Sequence, residues 1–270
     1  MTTKLTRTVA AVAGCLFATA AAAKVQTKEI QYKQGETSLQ GFLAWDDAAK
    51  GKRPGVLVVH EWWGHNEHAR TQAKRLAQAG YVGFALDMYG DGKVATHPDD
   101  AKKFMAEATK DFETVEARFD AALEVLKEQE GVDPEKIAVF GYCFGGGVAL
   151  NMARAGKDLD AVVSFHGALN PAKGPAEKGN VKPAILVQTG GADPMIKKDQ
   201  VDAFEKEMKD AGANVKVITY PKAKHAFTNP AADKVPGMGG TALKYDKDAD
   251  RKSWDAAMSF LKGVFGKRAG

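Results

Sequence analysis

Cysteine is scarce in this chain. Only Cys15 and Cys143 occur, and no C-x-x-C pair exists, which weakens any reading as a dithiol redox protein. Charge of one sign is also sparse. The net charge is +4, and Lys4 and Arg7 in the N-terminal leader supply two of those charges. The remainder is near neutral and carries no electrostatic footprint for nucleic acid or an anionic membrane. There is no internal repeat. No serine stands between glycines: Ser38, Ser164, Ser253 and Ser259 all lack such flanks. The apolar run over residues 8–20 is too short to cross a bilayer.

What is present fits one globular α/β domain, since 270 residues with 44% hydrophobic and 27% charged side chains suffice for a single large core. Residues 1–23 read as a secretory signal peptide. Lys4 and Arg7 give the positive start, and Ala21-Ala22-Ala23 gives a small-residue cleavage site. The alternatives are an uncleaved helix or a lipoprotein box ending at Cys15. Cleavage after Ala23 leaves Cys143 as the sole cysteine of a periplasmic or secreted protein, where no intramolecular disulfide can then form.

The segment around Cys143 is the most informative. Strand-like residues 137–140 run into Gly141-Tyr142-Cys143-Phe144-Gly145, and a helical pattern follows at once. This is the strand–turn–helix of a nucleophile elbow with cysteine in the place of serine. Glycines two before and two after let backbone pass close by, and the helix aims its positive end at the sulfur. A glycine-rich turn holding a small buried cysteine is the bland alternative.

Along the chain, strands are expected at 29–33, 38–45, 54–60, 81–86, 136–140, 159–165, 184–189 and 215–220. Helices are expected at 65–79, 98–107, 111–129, 143–155, 200–211 and 248–265, with a long loop at 229–245. Alternation of strand and helix argues for a mostly parallel sheet covered on both faces. Such sheets place ligands outside the carboxyl ends of their strands. Those ends carry His60 to Trp63, Asp87 to Tyr89, Cys143, His166, Asp193 and His225.

A cysteine nucleophile needs a base and a group to orient that base. Asp193 and then His225 follow Cys143, each just past an apolar strand, in the chain order of α/β-hydrolases. Read separately, Asp193 is a turn residue before Pro194 and His225 a loop histidine. His60-Glu61-Trp62-Trp63-Gly64-His65 nearly matches the zinc motif H-E-x-x-H, but the second histidine comes one residue late. No metal and no organic cofactor is expected. The segment suits acyl transfer better: the N–H groups of Trp62 and Phe144 form an oxyanion hole, and Glu61 sits beside the thiol and disfavours thiolate. Trp62, Trp63, Tyr89 and His166 are candidate pocket walls; the two tryptophans equally suit core packing.

From about residue 28 onward the chain resembles the dienelactone hydrolase family. The likeness rests on Val58-Val59-His60-Glu61, Asp87-Met88-Tyr89-Gly90, Gly141-Tyr142-Cys143-Phe144-Gly145-Gly146, Gly191-Ala192-Asp193 and His225-Ala226-Phe227. It implies a single-domain α/β-hydrolase fold, a catalytic Cys143, Asp193 and His225, and a thiol-pairing Glu61. The family's true dienelactone hydrolases hold a substrate carboxylate with two arginines. Asp91 and Asn229 stand at those positions here, and neither replaces a charge-assisted contact; Lys93 and Lys224 are nearby cations. The expected protein is a monomeric cysteine hydrolase of a small ester, lactone or enol ester. A non-catalytic binding protein on the same fold and a thiol redox-responsive protein are the alternatives.

Overall fold

The computed structural model describes residues 24–266, so the leader, Cys15 and the cleavage site lie outside the described residues. Eight strands form one sheet in the order β1-β2-β4-β3-β5-β6-β7-β8. The strands β1 (Val25–Gln34) and β2 (Thr37–Asp46) form an antiparallel hairpin, and β2 also runs antiparallel to β4 (Val82–Leu86). The remaining neighbours pair in parallel: β4, β3 (Arg53–Val59), β5 (Val132–Tyr142), β6 (Ala161–Phe165), β7 (Ala184–Gly190) and β8 (Val215–Tyr220).

The period of two along each buried strand divides the core. Leu57, Val59, Ile137 and Val139 point to one face, where α3 (Phe112–Lys127), α4 (Phe144–Arg154) and α5 (Lys198–Asp210) pack. Val56, Val58, Ala138 and Phe140 point to the other, against α1 (Glu67–Gln78) and α6 (Lys247–Gly266). A further helix, α2 (Pro98–Ala108), follows β4. Burial on both faces explains why the central strands read as continuous apolar runs.

Local chemistry sets several boundaries. The Asn66 side chain accepts from the N–H of His68 and Ala69 and starts α1, two residues later than periodicity alone places it. Asp111 caps α3 by accepting from Thr114 N at 2.6 Å. Strand β5 begins five residues before its apolar run at Ile137, because Arg53 pairs with Val132 and Pro54 with Asp133 ahead of a register shift. The segment expected as loop at 229–245 contains a short 3-10 turn, Ala232–Lys234, and isolated bridges from Leu243 to Gly239 and His225.

Candidate active site

The six strand ends named from the sequence do converge on one rim. The turn after β5 is forced by its backbone. Cys143 sits at φ 52°, ψ −114°, a region that L residues disfavour. A methyl group on Gly141 would lie 2.1 Å from Gly145 O, and one on Gly145 would lie 2.3 Å from Val59 O. The glycines are therefore steric requirements for the helix to pass over the strand ends. Gly145 N donates to His60 O at 3.1 Å and Cys143 N to Phe165 O at 3.0 Å, which ties the elbow to both neighbouring strands.

Cys143 is half-buried, and its sulfur lies 3.0 Å from His225 Nε2. His225 Nδ1 lies 2.8 Å from Asp193 Oδ2. The other oxygen, Asp193 Oδ1, accepts from Met195 N at 2.8 Å and Ile196 N at 3.3 Å, so the loop after β7 fixes the carboxylate. Burial alone would depress the His225 imidazole. The negative charge of Cys143, the hydrogen bonds to Asp193 and Cys143, and the Asp193 charge outweigh it and push His225 up to about 10. The proton between sulfur and imidazole belongs to the pair.

Glu61 is held from the far side of the rim. Its Oε2 accepts from Asn229 Nδ2 at 2.6 Å, its Oε1 is buried with no partner, and the carboxylate makes no hydrogen bond to Cys143. The thiol is engaged by His225 instead. The N–H groups of Trp62 and Phe144 donate to no group among the described residues, which leaves both free for an incoming oxygen. Tyr89 OH donates to Trp62 O at 2.9 Å, and the Tyr89 ring packs 5.6 Å from that of Phe144. Burial, and then the Cys143 charge, raises the Tyr89 hydroxyl, so it remains a neutral donor. Trp62 and Trp63 are half-buried and meet edge-on at 4.9 Å.

His166 is not a pocket wall. It is fully buried, packed edge-on behind His225 at 5.2 Å between ring centroids. The three histidines near the zinc-like motif point to separate partners. His60 uses Nδ1 toward Glu61 O and Nε2 to accept from Met88 N, His65 Nε2 meets Ala85 O, and His68 packs edge-on to Tyr142. Of the two nearby cations, Lys224 Nζ donates to Gly240 O, whereas Lys93 Nζ sits 5.8 Å above the Phe104 ring.

Sequence reasoning passed over Asp87 as a residue with a function. It is fully buried and accepts from the N–H groups of Gln40, Tyr89, Gly90 and Gly92, so it folds the loop that presents Tyr89. An acid followed by two glycines just past a buried strand was the available signal. Asn229 was noted only as a missing arginine, and Thr228 gave no signal at all.

The profile of the dienelactone hydrolase family matches residues 39–265. A relative from Aquifex pyrophilus, Protein usf, is 32% identical over 238 residues, covering 86% of this chain and 96% of its own. The solved structure m3DLH is 37% identical with a TM-score of 0.83, covering 89% of this chain and 98% of its own. The dienelactone hydrolase-like promiscuous phosphotriesterase P91 from metagenomic libraries is 33% identical with a TM-score of 0.81, again covering 89% and 98%.

Proposed function

The chain belongs to the dienelactone hydrolase family, and we propose that it cleaves a small ester, lactone or enol ester through an acyl–enzyme on Cys143. One observation carries this reading: Cys143 Sγ, both ring nitrogens of His225 and Asp193 Oδ2 form a continuous hydrogen-bonded line, with steps of 3.0 and 2.8 Å.

In this mechanism the Cys143 sulfur attacks the substrate carbonyl. The developing oxyanion accepts from the N–H groups of Trp62 and Phe144. His225 gives its Nε2 proton to the departing alkoxide and later takes one from the water that attacks the thioester. The tetrahedral adduct then collapses and releases the acid, and the cysteine thiolate is restored. Asp193 holds the imidazole with Nδ1–H inward, so that Nε2 faces the sulfur throughout.

The substrate we favour carries no carboxylate that needs two arginines, since Asp91 and Asn229 occupy those positions. The mature protein begins at Lys24 in the periplasm or outside the cell and acts as a monomer.

The test is a panel of p-nitrophenyl esters and lactones in reducing buffer, with wild type beside Cys143→Ala. Turnover that disappears in the variant is the expected result. Turnover equal in both proteins overturns the assignment of the nucleophile.

A further inference from the structure

One buried titratable side chain has no part in that mechanism. His166 follows β6 with φ at 42°, left-handed for a residue that is not glycine. It is 0% exposed, and its Nδ1 has no hydrogen-bond partner. A phenylalanine or leucine would fill such a space without leaving a polar atom unmet, so packing alone does not account for an imidazole here.

Besides the Tyr142 ring at 6.2 Å, what the His166 ring touches is a single loop. His166 Nε2 lies 2.9 Å from Thr228 Oγ1. Its ring packs edge-on against His225 at 5.2 Å and against Phe227 at 5.0 Å. Three of the four residues from 225 to 228 thus rest on it. That loop is itself held in an unfavourable shape, with Ala226 at φ 56°. Its other anchors are the Asp193 contact of His225, the Glu61 contact of Asn229, and the backbone bonds that Lys244 N and Asp246 N donate to His225 O and Phe227 O. The Thr228 hydroxyl can donate or accept, so it satisfies Nε2 in either tautomer of the ring.

We propose that His166 is a positioning residue: its hydrogen bond to Thr228 and its edge-on contact with His225 hold the 225–229 loop so that His225 Nε2 stays on the Cys143 sulfur. The role rests on the reading of Cys143 and His225 as nucleophile and base. It acts through His225 and requires no contact with substrate. Displacing a base by about an ångström is enough to cost up to ~100-fold in rate.

The experiment compares wild type, Thr228→Val, Thr228→Ser and His166→Phe. Two quantities are read: alkylation of Cys143 by iodoacetamide at pH 6, and kcat and KM for p-nitrophenyl acetate. Thr228→Val and His166→Phe are each expected to slow alkylation and kcat by roughly 10-fold or more with KM unchanged, and Thr228→Val, which strips the buried imidazole of its partner, to melt a few degrees lower as well. Thr228→Ser keeps the hydroxyl and is expected to restore both rates. The double variant His166→Phe, Thr228→Val is expected to be no worse than the poorer single variant, because both remove one bond. A wild-type alkylation rate in Thr228→Val or in His166→Phe overturns the proposal, as does a loss in Thr228→Ser equal to that in Thr228→Val. Alkylation needs no ester. Absence of ester turnover in wild type therefore counts against the hydrolase reading, while the alkylation rates still decide the role of His166.

Discussion

Asn229 Nδ2 donates to Glu61 Oε2 at 2.6 Å, and this neutral amide is the only hydrogen-bond partner of the buried carboxylate among the described residues. Replacing it by Asn229→Ala leaves a buried carboxylate without a donor. The expected cost is about 1–3 kcal/mol of folding stability, read as a lower midpoint in urea. A variant as stable as wild type would mean that water serves Glu61 equally well.

The elbow leaves no room for a side chain at its close approach. In Gly145→Ala the added carbon meets Val59 O at 2.3 Å and His60 O at 2.7 Å, both backbone atoms. Neither can rotate away, so the helix must lift off the strand ends. We expect loss of both ester turnover and thermal stability, measured by activity assay and calorimetry. Ala149, one turn further along the same helix, is a buried residue that already carries its Cβ.

The raised His225 imidazole owes its largest upward contribution to the Cys143 charge, set against burial. Cys143→Ala removes that contribution and leaves the desolvation. The His225 ring is therefore expected to titrate lower in the variant than the value of about 10 in wild type, as followed by the imidazole signals in NMR. An unchanged titration would show that Asp193 alone sustains the shift.

Acid is expected to destabilise the fold before most carboxylates protonate. His60 is fully buried, and desolvation lowers it to about 4; His65, His68 and His166 are lowered by the same cause. These rings are neutral in the fold but charge at about 6.5 when unfolded. Protonation thus favours the unfolded chain, and stability is lost as pH falls from about 6.5 toward 4. His60 alone is worth up to about 3 kcal/mol over that window. Urea midpoints at pH 7.5, 6 and 5 are expected to decrease in that order, and equal midpoints would remove this account.

The residues whose neighbours in sequence define them were legible. Gly141 and Gly145 around Cys143 announce a strained turn because no other residue type satisfies that approach, and the backbone angles of Cys143 bear this out. The alternating faces of β3 and β5, with their flanking helices, were readable from runs of buried apolar residues. Contacts between distant loops were not. Glu61 lies 168 residues from the amide that holds it, and His166 lies 62 from Thr228. A hydrogen bond between side chains on separate strand ends leaves no periodicity, so His166 was read as pocket wall. The start of β5 was missed for a related reason, since its first residues pair with Arg53 and Pro54 without an apolar pattern of their own.

The Cys143 sulfur and the imidazole that meets it are 82 residues apart in the chain. Everything that bends the elbow lies in β3, β5, β6 and α4, whereas the imidazole follows β8, the last strand of the chain. A chain growing from its N-terminus therefore presents the thiol before the imidazole that comes to face it has been made. Labelling of Cys143 during refolding is expected to change when that contact forms, a reporter that needs no engineered probe.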